Sequence, residues 1–171
     1  MLSWARNSTI YRIERRMHTE KQLFDAISRK ARQKFENISD AQVKALAESA
    51  VRFAYDNGAL DDVAFAEIGT RSGMRGGRSR RAIAQKLIQK GIARNTIAEA
   101  VADADDLYAA VVLARKRAFG PFRKAELDDK IKAKELSALA RGGFGFEIGK
   151  KVLQMSLEEA EDKLAEGPGA S

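Results

Sequence analysis

The chain has 171 residues, of which 44% are hydrophobic and 32% charged, with two prolines and a formal net charge of +7. That length suits one domain or a short array of small modules, and abundant Ala, Lys, Leu and Arg favour helix over sheet. The absence of cysteine excludes a disulfide framework, a thiolate nucleophile and a cysteine zinc site, and no apolar run approaches the roughly 20 residues that cross a bilayer, so a cytoplasmic protein is expected.

In chain order, the first eighteen residues carry Arg6, Arg12, Arg15 and Arg16 against a single acid, Glu14. They read as a disordered basic leader, with Trp4 unassigned and His18 exposed near a helix start. Order is expected from Thr19, where Thr19-Glu20-Lys21-Gln22 forms a capping box ahead of Leu23, Ile27, Ala31 and Phe35 at four-residue spacing. Ser39-Asp40-Ala41-Gln42 is a second capping box, opening a helix with Val43, Leu46, Ala47 and Ala50 inward and closing at Asn57-Gly58. Asp61 or Asp62 caps a short helix bearing Phe65, Ala66 and Ile68. A glycine- and arginine-rich stretch, Arg71 to Arg78, reads as a flexible link. Ser79 then starts a helix with Ile83, Leu87 and Ile88 inward, stopped by Gly91. Further helices are expected at about 94–103, 105–118, 124–141 (Leu127, Ile131 and Leu139 inward) and 145–154. A last short helix is capped by Ser156, before a frayed tail at 167–171. No segment reads as a strand.

An internal repeat runs through these elements. Ile38, Val43 and Leu46-Ala47 align with Ile92, Ile97 and Ala100-Val101, and again with Phe144, Ile148 and Val152-Leu153. A period of about 50 residues holding three short helices predicts stacked modules in an all-α, elongated array. The expected boundaries are 19–70, 71–121 and 122–166.

The charge is concentrated. Between Ile68 and Ala98 stand Arg71, Arg75, Arg78, Arg80, Arg81, Lys86, Lys90 and Arg94 with no acidic residue, so the excess charge of the whole chain sits in this segment. A localised basic face points to an acidic or phosphate-bearing partner. The start of the helix after Ser79 adds free backbone N–H groups that favour an anion. Enzymatic readings fail. Ser72 to Ser79 lacks the first glycine and the lysine of a phosphate loop, and the pairs Asp61-Asp62, Asp105-Asp106 and Asp128-Asp129 stand at helix starts or polar faces, where carboxylates cap and solvate. Neither a metal nor a cofactor is expected.

Several stretches together resemble the RecX family. They are Gly58-Ala59-Leu60-Asp61-Asp62-Val63-Ala64-Phe65-Ala66; Arg78-Ser79-Arg80-Arg81-Ala82-Ile83 with Gln85-Lys86-Leu87; and Gln89-Lys90-Gly91-Ile92. Weaker signatures follow in the family's order: Lys116-Arg117-Ala118-Phe119-Gly120, Leu139-Ala140-Arg141-Gly142-Gly143-Phe144 and Val152-Leu153. The chain departs from the family at Gly142, Gly145 and Gly149, where a basic residue, a serine and an aliphatic residue are usual. The resemblance implies three tandem three-helix repeats and no catalytic activity. It also implies binding to the RecA recombinase, chiefly as its filament on single-stranded DNA, with restraint of filament growth, ATP hydrolysis and strand exchange in DNA repair, recombination and the SOS response. On that reading the eight basic residues are the partner-binding surface of a monomer without a membrane partner. The alternative is a helical protein that binds single- or double-stranded DNA nonspecifically.

Overall fold

The computed structural model describes residues 1–168, so the last part of the expected tail, 169–171, lies outside the described residues. Among them are ten α-helices, one 3-10 turn and no strand. The helices are α1 (Leu2–Ile13), α2 (Glu20–Lys34), α3 (Asp40–Asp56), α4 (Asp62–Arg75), α5 (Arg80–Gln89), α6 (Arg94–Val101), α7 (Asp106–Arg117), α8 (Asp129–Arg141), α9 (Phe146–Gln154) and α10 (Leu157–Glu166). The fold is all-α, as the periodicity and the capping residues predict, and among the described residues no helix is long and apolar enough to cross a membrane.

The chain divides into two compact units. One comprises 1–66 with 87–96, the other 67–86 with the described residues from 97 onward. In the first, α1, α2 and α3 pack together, and Leu23, Ile27, Ala47, Ala50, Ala54 and Leu60 form a core cluster. Leu23 and Ile27 are fully buried, each contributing about 1.5–3 kcal/mol relative to exposure. A neighbouring cluster joins Ala5 of α1 to Ala31, Val43 and Leu46. Both capping boxes form as read, with Thr19 and Ser39 side chains accepting from the backbone N–H groups of Gln22 and Gln42.

The expected disordered leader is instead α1. Ala5 and Thr9 are buried, Thr9 Oγ1 donates to Ala5 O at 2.8 Å, and the Trp4 ring meets Phe35 edge-on with centroids 5.2 Å apart. Trp4, Ala5, Thr9 and Ile13 make one inward face, with Arg12 half-buried beside it, while Arg6 and Arg15 lie outside: the Arg6 guanidinium sits 4.9 Å over the Phe53 ring and that of Arg15 4.1 Å over Tyr11. His18 is not exposed either. Its side chain is buried beside that helix, with Nδ1 2.9 Å from Arg16 O, and burial above all, together with Arg16 and Arg12, holds its pKa below the ordinary value.

In the second unit α7 is buried nearly all round, through Tyr108, Ala109, Ala110, Val111, Val112 and Ala114, and packs on α9, α10 and the 3-10 turn Gly120–Phe122. Beside the turn, Glu135 of α8 is almost wholly buried. Its carboxylate accepts from Arg123 Nε at 2.8 Å, from Arg123 Nη2, and from the Gly120 N–H at 3.1 Å. Burial opposes ionisation of Glu135, but these donors outweigh it and hold the carboxyl below its usual range. Lys163 of α10 reaches Asp105 at 2.8 Å, with both side chains largely buried.

Four other expectations change. The glycine-rich stretch is not a flexible link, because α4 continues through it to Arg75. Ile68 and Ile88 face solvent, since the inward faces of α4 and α5 are set by Ala66, Thr70 and Met74 and by Ile83 and Leu87. The helix expected from 124 begins at Asp129, because Asp128 caps it by accepting from the Ile131 N–H at 2.6 Å; Leu127 is left exposed.

Candidate functional site

The basic segment is built on the second half of α4, the turn after it and α5. Its glycines work as contact points. A Cβ on Gly73 would lie 2.6 Å from Ile83 Cγ1, and one on Gly77, at φ +79°, would lie 3.0 Å from the Leu113 backbone N. Only a residue without a side chain lets α4, α5 and α7 approach so closely here. The turn closes with the Arg78 N–H on Gly73 O and the Gly77 N–H on Met74 O, a glycine-type helix ending.

This scaffold leaves Arg71, Arg75, Arg78, Arg80, Arg81 and Lys86 exposed in the second unit. Arg71 and Arg75 stand one turn apart on one face of α4. Lys86 lies five residues beyond Arg81 and therefore well around α5 from it. The remaining two predicted residues, half-buried Lys90 and exposed Arg94, belong to the first unit. Of the eight side chains only Arg80 is engaged among the described residues, donating through Nη2 to Ala104 O at 3.0 Å. The others carry no ion pair, so their charges are available to a partner.

The anion site expected at the start of α5 is already filled. Asp106 Oδ1 accepts from the Arg80 N–H at 2.6 Å, and Ser79 Oγ accepts from the Ala82 N–H at 3.1 Å. What this segment presents to solvent is therefore side-chain charge rather than bare backbone donors. The structure adds a basic residue that the sequence reading left out of the site. Lys116 Nζ donates to Gly76 O at 2.9 Å, bringing the last turn of α7, with exposed Arg115 and Arg117, to the Arg75–Arg78 turn. Its signal was the Lys116-Arg117-Ala118-Phe119-Gly120 stretch, read for resemblance and not for charge.

The paired aspartates are structural. Asp61 caps α4 by accepting from the Ala64 N–H at 2.9 Å, and Asp62 accepts from the Glu20 N–H at 3.2 Å. Burial raises the Asp62 pKa, a shift the Glu20 N–H opposes and the Glu20 and Asp61 charges reinforce. Asp105 and Asp106 repeat this division of labour for α7 and α5. Among the described residues no cluster of His, Asp or Glu could hold a metal ion.

One joint is made twice. Thr19 Oγ1, while capping α2, donates to Lys90 O at the end of α5 at 2.6 Å; Ser79 Oγ, while capping α5, donates to Gly142 O at the end of α8 at 2.7 Å. Each accepting carbonyl precedes a left-handed glycine, Gly91 at φ +83° and Gly143 at φ +88°. A Cβ on Gly91 would fall 2.4 Å from the Lys21 side chain, and one on Gly143 would fall 2.5 Å from Ser79 Oγ. In the stretches Arg78-Ser79-Arg80-Arg81 and Lys90-Gly91-Ile92 the serine and the glycine thus build the joint, while Arg78, Arg80 and Arg81 are exposed.

A family model described as the second three-helix domain of RecX matches residues 61–101. That span takes in α4, α5 and α6, a frame one helix earlier than the 71–121 read from the repeat. The chain is 63% identical over 168 residues to the regulatory protein RecX of Agrobacterium fabrum, covering 98% of this chain and 91% of that protein. It is 35% identical over 158 residues to the regulatory protein RecX of Myxococcus xanthus, covering 88% and 84%. With nearly its whole length matched and the signature residues explained by the fold, the chain belongs to the RecX family of regulatory proteins.

Proposed function

We propose that the chain binds the RecA recombinase, chiefly as its filament on single-stranded DNA, and restrains filament growth, ATP hydrolysis and strand exchange. The contact residues in this reading are Arg71, Arg75, Arg78, Arg80, Arg81 and Lys86 in the second unit, with Lys116 added, and Lys90 and Arg94 in the first. The observation that carries it is a run of mostly exposed cations, six of the eight exposed residues Arg71, Arg75, Arg78, Arg80, Arg81, Lys86, Arg94 and Lys116 having no internal partner among the described residues, on a member of the RecX family. A filament offers repeating carboxylate and phosphate groups, so several weak charged contacts add through multivalency and are screened by salt.

The test reverses Arg75, Arg78 and Arg81 to glutamate. Arg80 is left alone because it holds Ala104 O. A control reverses Arg29, Arg52 and Lys130, exposed cations outside the segment. Lys163 cannot serve as that control, since it neutralises largely buried Asp105. DNA-stimulated ATP hydrolysis by the recombinase is titrated with each variant at two salt concentrations. The segment reversal should weaken inhibition by about tenfold or more, the control should change it little, and wild-type inhibition should fall as salt rises. Equal inhibition by the segment variant and wild type would remove the basic segment as the contact. Binding to DNA alone that matches binding to the filament would favour the nonspecific DNA-binding reading.

A further inference from the structure

A second surface lies in the second unit, away from the basic segment in sequence. Between the loop before α8, α8 itself and α9 is a cleft of about 190 Å³. Leu127, Leu136, Phe146 and Leu153 give it apolar walls, and Lys132 and Lys150 stand with it; no carboxylate lines it. Leu127 is 56% and Phe146 63% exposed, a cost in hydration that the packing of this unit does not recover. Arg123 also lines the cleft, but its charge is committed to Glu135, so the two lysines carry the unbalanced charge.

We infer that this cleft is a docking site for an acidic peptide segment that inserts one bulky apolar side chain. Size and chemistry select that occupant. The cleft is smaller than the roughly 300–1,000 Å³ of small-molecule and cofactor pockets, which leaves room for a side chain. Its walls offer leucines and a single phenylalanine, which suit an aliphatic or aromatic side chain and supply no series of stacking platforms for successive bases. Two free ammonium groups beside an apolar floor match carboxylates flanking an apolar anchor, the pattern by which amphipathic segments enter grooves.

The site shares no residue with the basic segment, and its test needs no recombinase, so the two proposals fail separately. A fluorescein-labelled peptide of about twelve residues, aspartates around one central phenylalanine, is titrated with the full chain and followed by anisotropy. Companion probes replace that phenylalanine by alanine, replace the aspartates by lysine, or substitute a labelled single-stranded oligonucleotide. Phe146→Ser and the pair Lys132→Glu with Lys150→Glu change exposed positions, and circular dichroism checks that each keeps its helices. Binding of the acidic phenylalanine peptide, weakened about tenfold or more by each variant and by each peptide change, is the expected result. Equal binding by wild type and both variants would overturn the proposal. So would indifference to the peptide's phenylalanine, or an oligonucleotide that binds through these same residues while the peptide does not.

Discussion

Replacing Gly143 by valine tests the joint between the caps of one helix and the end of another. Gly143 sits at φ +88° one residue after the carbonyl that accepts the Ser79 hydroxyl. A residue with a Cβ held there costs about 1–2 kcal/mol in backbone strain, and more when β-branched. The added Cβ would also lie 2.5 Å from Ser79 Oγ, which can move only by giving up its bond to Gly142 O and its cap on the Ala82 N–H. Losing that bond costs roughly 0.5–1.5 kcal/mol and losing the cap about 1 kcal/mol. The sum is about 2.5–4.5 kcal/mol, read as a lower urea midpoint by circular dichroism at constant denaturant slope. Gly145 is the contrast: its φ is −65° and nothing lies within 4 Å of where its Cβ would be. It is the N-cap of α9 with no side chain to cap, so Gly145→Ser should raise stability by a few tenths of a kcal/mol. An unchanged midpoint for Gly143→Val, or a loss at Gly145→Ser as large as that at Gly143, would refute the reasoning.

Glu135→Ala should cost about 3–5 kcal/mol by leaving Arg123 buried without its partner, measured by the same denaturation. Because the folded pKa of Glu135 is lowered, the wild-type contribution is full above the unfolded value of about 4.3 and is lost as pH falls through the folded value; the variant's stability should lack that component. His18 also has a lowered folded pKa, so the unfolded chain takes up the proton first: stability should fall as pH drops from about 6.5 through the folded value, and His18→Asn should flatten that part of the profile. Trp4→Ala should destabilise by about 3 kcal/mol through its lost contacts with Phe35 and the core beneath α1; no change in thermal midpoint would mean that α1 does not support the first unit.

Helix caps were the most legible feature. Thr19, Ser39 and Ser156 act as their spacing implies, because an N-cap is decided by residues within one turn of each other. The left-handed glycines Gly91 and Gly143 were legible for the same local reason. What was missed depends on distant partners. Four arginines masked the α1 stripe, whose value comes from Phe35, Val43 and Leu46. Gly73 and Gly77 looked like a link because the atoms that require them, on Ile83 and Leu113, are elsewhere in the sequence. Of the site, the cations and their exposure were readable from the missing acids. Three facts were not: that Arg80 is tied to Ala104, that Asp106 fills the α5 terminus, and that Lys116 joins the turn.

The caps also set a direction along the chain. Thr19 and Ser79 can do two things at once because a hydroxyl has both a proton to give and lone pairs to receive; each accepts from its own helix and donates to the end of a later one. The corresponding position before α8 holds Asp128, which caps its helix as well as they do. An ionised carboxylate has no proton to pass on. The helix it opens can receive Ser79's hydroxyl at its far end, but it has no matching hydroxyl to extend to a successor. One atom's chemistry thus separates a cap that also ties down a second helix, as at Thr19 and Ser79, from one that serves its own helix alone, as at Asp128.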